Sequence, residues 1–197
     1  MHCLLRDDGG PVAAPPPAEP RAAETALRPA EDTFPKLVLQ HGELRGNRPS
    51  MREKEFGIWQ THSWSDTVAN IRGIACGLAA QGLRRDDKVA IIGNNRPQFD
   101  WSMLAAQSLG AVAVPVYQDA IADEMQFVLD HAEAPFAVAE NQEQVDKLIG
   151  IRDRLPQLRC IIYKDPRGLR HYSDDVLLWM QSSNRGVISM RAILTSS

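Results

Sequence analysis

Five residues, Gly93-Asn94-Asn95-Arg96-Pro97, stand where a sequence reader first looks for ligand chemistry. They follow a short apolar run, Val89–Ile92, and precede a helical pattern opened by Pro97. Such a strand–turn–helix presents backbone N–H groups at the carboxyl end of a sheet, where open α/β folds bind ligands. Cradling a phosphate there takes several glycines, as in GxGxxG, so that the backbone can approach. Only Gly93 is present, so the segment reads as a structural turn with an asparagine cap rather than a nucleotide loop.

The other chemically able residues have bland readings too. His62, His131 and His171 form no HxxxH or HExxH pattern and read as surface or satisfied core histidines, not metal ligands. Asp123-Glu124 sits at a helix start, where acids complement the macrodipole, so a catalytic carboxylate pair is not needed to explain it. Ser63 and Ser65 lack the GxSxG context of a hydrolase nucleophile. Arg84-Arg85-Asp86-Asp87 reads as a solvated turn. Trp59, Trp64, Trp101 and Trp179 read as packing residues, with a lipid-binding wall as the alternative. Cys3, Cys76 and Cys160 contain no CxxC pair and read as buried thiols. No catalytic, cofactor-binding or metal-ligating residue is assigned.

The elements that would position any site follow from periodicity. Residues 1–30 carry Pro15-Pro16-Pro17, Pro20 and Pro29 among Ala and Glu, and read as a disordered tail. Thr33 caps a helix with Pro35 in its first turn, ending near Gly46. Met51–Lys54 and Ile58–Ser63 flank a turn at Glu55-Phe56-Gly57, a hairpin signature. Ser63 and Asp66 form a capping box for a helix with Val68, Ile71, Ala75 and Leu78 on one face, ended by Gly82.

Strands then alternate with helices. Strands are expected at Val89–Ile92, Ala111–Val116 (stopped around Pro115), Phe136–Ala139 and, as the last, Cys160–Tyr163. Those at 89–92, 111–116 and 160–163 read as buried on both sides. Helices are expected around Trp101, Leu104, Ala105 and Leu109, around Ile121, Met125, Val128 and Leu129, and around Val145, Leu148, Ile149 and Leu155 up to Pro156. This alternation implies parallel crossovers and an α/β layered fold. Val176–Met180 reads as a short helix, and 182–197 has no clear period.

Composition narrows the class. The chain has 197 residues, 44% of them hydrophobic, with a formal net charge of −3. It is sized for one domain and too apolar for general disorder. There is no basic run to serve a nucleic acid, no apolar stretch long enough to span a membrane, and no secretory signal pattern in Met1–Gly10.

Seven blocks occur in order across residues 33–172: Thr33-Phe34-Pro35-Lys36-Leu37; Arg48 to Lys54 with Gly57-Ile58-Trp59-Gln60; Ser63-Trp64-Ser65-Asp66 leading to Ala75-Cys76-Gly77-Leu78; Asp87 to Pro97; Leu109 to Tyr117; Val145-Asp146-Lys147-Leu148; and Ile161 to Leu169. In order and spacing they resemble the opening region of a long-chain acyl-CoA synthetase of the adenylate-forming superfamily. The resemblance implies a partial AMP-binding N-terminal domain over 31–181, with 182–197 irregular and departing from the family. An early stop or an altered reading frame would produce that departure.

The resemblance also implies a reaction. ATP activates a fatty acid as an acyl-adenylate with release of pyrophosphate, and the acyl group then passes to CoA. ATP, Mg²⁺ and CoA serve the intact family. Its working motifs are a Ser/Thr/Gly-rich phosphate loop ending in Lys, a Tyr-Gly-x-(Thr/Ser)-Glu segment, a ribose-binding Asp and a Lys on a mobile C-terminal domain. None is in this sequence; Thr195-Ser196-Ser197 resembles only the start of the loop, without its glycines or lysine.

The expectation is therefore a chain in the cytoplasm, or peripheral to a membrane, that is inactive alone, binds no cofactor, and self-associates or pairs with the missing remainder of the enzyme. Two other readings stay open: a non-catalytic interaction module that pairs with a full-length synthetase, and an unrelated nucleotide-binding α/β protein.

Overall fold

The computed structural model describes residues 32–164 and the backbone of two further strands at 176–181 and 188–192. The first helix, α1 (Phe34–Arg45), begins where Thr33 Oγ1 accepts from the Lys36 N–H, and it ends on Gly46 at φ +34°. Strands β1 (Pro49–Glu55) and β2 (Ile58–Ser63) form an antiparallel hairpin. Its two turn residues, Phe56 and Gly57, both have positive φ, 48° and 83°. That is the type I′ geometry whose twist matches the flanking strands. Helix α2 (Trp64–Ala80) carries the expected capping box: Ser63 Oγ accepts from Asp66 N at 3.1 Å, and Asp66 Oδ2 accepts from Ser63 N at 2.9 Å.

The remainder alternates β3 (Lys88–Gly93), α3 (Pro97–Ser108), β4 (Val112–Tyr117), α4 (Ala122–His131), β5 (Phe136–Ala139), α5 (Gln142–Ile151) and β6 (Cys160–Tyr163), followed by β7 (Val176–Gln181) and β8 (Ile188–Ala192). The six strands lie in the order β4-β3-β5-β6-β7-β8. Every neighbouring pair is parallel except β7 and β8. This is the layered α/β fold that the alternation implies.

Alternate strand residues feed two cores, as a pleat of period two requires. Val89, Ile91, Phe136, Val138 and Ile162 pack with Ile74 and Leu78 of α2 and with Trp101 and Ala105 of α3. Ala90, Ile92, Ala137, Ile161 and Tyr163 pack on the other side with Met125 and Leu129 of α4 and with Val145 and Leu148 of α5. The central strands are thus covered by helices on both faces, which is why they read as continuous apolar runs.

Several expectations fail. Strand β4 is not buried on both sides; it is the sheet's edge, and Val112 and Tyr117 are exposed. Nor does Pro115 stop it. Val112 N donates to Asp87 O, so residues 114 and 116 also turn their N–H groups toward β3, and Pro115 faces the free edge. A proline is tolerated there because no ladder bond is lost, and it removes a donor from an edge that would otherwise recruit another strand.

The run 176–180 is no helix. Val176, Leu177 and Leu178 pair in parallel with Ile161, Ile162 and Tyr163, so β6 is not the last strand. β8 lies inside the segment 182–197 that the sequence left irregular. Helix α5 stops at Ile151, before a 3-10 turn at Arg152–Arg154, rather than running to Pro156. The tail at 1–30 lies outside the described residues.

Candidate functional site

Chain connection runs outward from β3 to β4, then back across β3 to β5. The switch point therefore lies between the carboxyl ends of β3 and β5, the place where open α/β sheets bind ligands. Here a carboxylate fills it. Glu140, just after β5, accepts through Oε2 from Asn94 N at 2.6 Å and from Asn94 Nδ2 at 3.1 Å. Arg96 Nε stands 3.0 Å from Glu140 Oε1, and its Nη1 reaches 3.5 Å from Glu53 Oε2. Glu53, on the hairpin, accepts through Oε1 from Gln98 Nε2 at 3.2 Å and meets His62 Nε2 at 3.3 Å. One arginine thus ties together two carboxylates from separate parts of the fold.

Glu53 is almost fully buried. Burial pushes its carboxyl up, but hydrogen bonds from Gln98 and His62 and the charge of Lys164 outweigh that, so it lies below the ordinary range. The cavity left at the switch point is about 20 Å³, room for about one water. The residues here do not fit a triphosphate: the space is filled, the facing group is an anion, and the backbone offers one glycine. That glycine admits Glu140 rather than a phosphate.

Larger spaces lie on either side of the turn. An open crevice of about 660 Å³ separates the hairpin from the start of α3, bordered by Arg52, Lys54, Trp59, Asn95 and Asp100. A depression of about 460 Å³ lies at the ends of β3 and β4, against Phe99, Tyr117 and Asp119. Burial alone holds the Asp100 carboxyl above its ordinary value.

The residues weighed from the sequence fall as follows. The turn 93–97 is structural, but its cap is not an asparagine: Arg96 is the N-cap of α3 and makes no side-chain capping bond. His62 stands edge-on to Trp101, and His131 stacks on Phe127. No group of three metal-ligating side chains occurs among the described residues. Ser63 is a helix cap. Glu124 accepts from Ile121 N, and Asp123 pairs with Arg154, which accounts for that acidic pair structurally. Asp87 closes its turn by accepting from Arg84 N.

Trp101 is buried, Trp59 is exposed, and Trp64 packs on His41, so these three form no common wall. Cys160 is buried as expected, but Cys76 is exposed on α2. His171, Cys3, the Trp179 side chain and Thr195–Ser197 lie outside the described residues. Sequence reasoning missed Glu53 and Glu140. Each looks like one more surface acid until the fold brings Arg96 between them.

The family model of the AMP-binding enzyme matches residues 40–185. The chain belongs to the AMP-binding enzyme family. It is 29% identical over 155 residues to the long-chain-fatty-acid–CoA ligase ACSBG2 of Xenopus laevis, covering 78% of this chain and 21% of that one. It is 36% identical over 102 residues to the uncharacterized protein Rv1549 of Mycobacterium tuberculosis, covering 52% and 58%. Among solved structures, the acetoacetyl-CoA synthetase of Streptomyces lividans superposes with a TM-score of 0.64 at 19% identity, over 80% of this chain and 26% of that one. The N-terminal domain of FACL13 from Mycobacterium tuberculosis gives 0.61 at 19% identity, over 79% and 44%. These superpositions show the AMP-binding fold. The chain spans about a fifth of the length of the ligase relative.

Proposed function

We propose that this chain supplies the N-terminal α/β scaffold of a long-chain fatty-acid–CoA ligase and does not form an acyl-adenylate by itself. The observation that carries the reading is the family match over 40–185, set beside a switch point already occupied by Glu140 and Arg96. A triphosphate needs converging backbone N–H groups and a cation for its developing charge. The phosphate-loop pattern that supplies both in the family is absent from this sequence. In the intact family the substrates are a fatty acid, ATP with Mg²⁺, and CoA. Here the scaffold's partner is the remainder of such an enzyme, or a second copy, in the cytoplasm or at a membrane surface. No helix among the described residues is long and apolar enough to cross a membrane.

Two experiments test this. Exchange of labelled pyrophosphate into ATP, run with fatty acids of several lengths, should not rise above a blank without protein. Exchange that depends on fatty acid would overturn the claim of inactivity. Grafting residues 33–172 in place of the matching region of a related ligase should give an active chimera. A folded but inactive chimera would overturn the scaffold claim.

A second reading is favoured by one finding. The Mycobacterium tuberculosis relative is itself short, since 102 matched residues make up 58% of it. A stand-alone interaction module would capture a full-length synthetase in a pull-down, and the Glu53–Arg96–Glu140 lock would serve only its stability.

A further inference from the structure

We propose that the tip of the β1–β2 hairpin is a wedge that inserts into an anionic lipid surface. Three large apolar side chains crowd this tip and stay in solvent: Phe56 is 83% exposed, and Ile58 and Trp59 are each 65% exposed. Phe56 holds φ +48°, a region that suits glycine or asparagine and strains a bulky side chain. The type I′ turn requires that conformation at its first central position, which sets Phe56 at the apex of the hairpin.

The shape favours lipid over a protein partner. Lys54 pairs across the hairpin with Trp59, and Glu55 with Ile58. Opposed residues share a face and successive residues alternate, so Trp59 and Ile58 lie on opposite faces with Phe56 at the apex. A protein surface would cover one such face. A fluid apolar medium solvates all of them.

Charge is placed to match. Arg52 and Lys54 share the face of Trp59, and neither makes an ion pair among the described residues. At about 3.4 Å per residue Lys54 sits roughly 7 Å and Arg52 roughly 14 Å behind the apex, so a shallow insertion brings Lys54 to the headgroups with Arg52 behind it. Glu55 partly offsets them at the rim, while Glu53 is already engaged by Arg96 and Gln98. Indole rings settle at the membrane–water boundary, and basic side chains favour anionic lipid. The proposal does not depend on the ligase reading, since it needs only the hairpin and a vesicle.

The test is flotation of the full chain with phosphatidylcholine vesicles, with and without phosphatidylglycerol. The chain should float with the anionic vesicles and be released by salt. Phe56→Ser with Trp59→Ser should lower partitioning roughly tenfold or more. Arg52→Gln with Lys54→Gln should remove the preference for anionic vesicles. Lipids brominated on their acyl chains should quench indole emission in the parent chain, and much less in Trp59→Phe, a mild change that preserves the fold. Absence of flotation, flotation indifferent to these variants, or quenching unchanged in Trp59→Phe would each overturn the proposal. So would a tip variant that alters oligomeric state without lipid, which would assign the tip to a second protein.

Discussion

Glu140 leans directly over Gly93: a Cβ built on Gly93 would lie 2.9 Å from the Cβ of Glu140 and 3.0 Å from its Oε2. The backbone of Gly93 does not have positive φ, so the need for glycine here is steric. Gly93→Ala must push β3 and the start of α5's loop apart at the Cβ level, where no flexible side-chain end can yield. The expected cost is about 1–3 kcal/mol, the range for overpacking. Urea melts measure it. Adding Glu140→Gly to that variant should lower the further cost of the alanine, because the opposing Cβ is gone.

Glu53 makes stability depend on pH. Its folded carboxyl lies below the ordinary value of 4.5, so the unfolded chain binds its proton first as pH falls. The stabilisation is present above the unfolded value and is lost as pH drops through the folded one. Glu53→Gln should cost about 1–3 kcal/mol at pH 7, as for loss of a charged hydrogen-bonding group. The gap between parent and variant should narrow in melts repeated in acid. A gap independent of pH would show that the carboxylate's charge contributes nothing.

Asp100 should act in the opposite direction. Its folded value is raised above 3.8 by burial, so ionisation favours the unfolded chain. The penalty appears as pH rises above the unfolded value and is complete above the folded one. Asp100→Asn should therefore stabilise at pH 7 and make no difference in strong acid. Destabilisation at pH 7 would mean that the acid's attraction to the start of α3 outweighs its burial.

Leu78 is fully buried between α2 and the sheet, beside Ile74 and Val89. Leu78→Ala should cost about 2–5 kcal/mol, depending on how far the site collapses. Against a total near 5–15 kcal/mol for an ordinary domain, that can decide whether the chain folds. A change within about 0.5 kcal/mol would contradict the placement of Leu78 in the core.

Local signals carried much of this fold. Thr33, Pro35 and Gly46 bound α1 because capping bonds reach only three or four residues. The Ser63–Asp66 box starts α2 for the same reason. Phe136–Ala139 and Cys160–Tyr163 are strands at the residues expected, since both are short apolar runs between turn signals. Val176–Met180 carries the same kind of run, and periodicity alone does not tell a short buried strand from a short buried helix. Pairing with β6 decides it.

The sequence by itself determined the family and the alternation of strands and helices. Both are written in neighbouring residues. Tertiary structure alone decided that β4 is an edge, because edge status belongs to strand order and not to the strand. It alone also placed Glu53 and Glu140 on the two sides of Arg96. Acids and bases so far apart in the chain carry no mark of pairing; only the crossing of β3, β5 and the hairpin brings their charges within reach, where burial makes the contact matter.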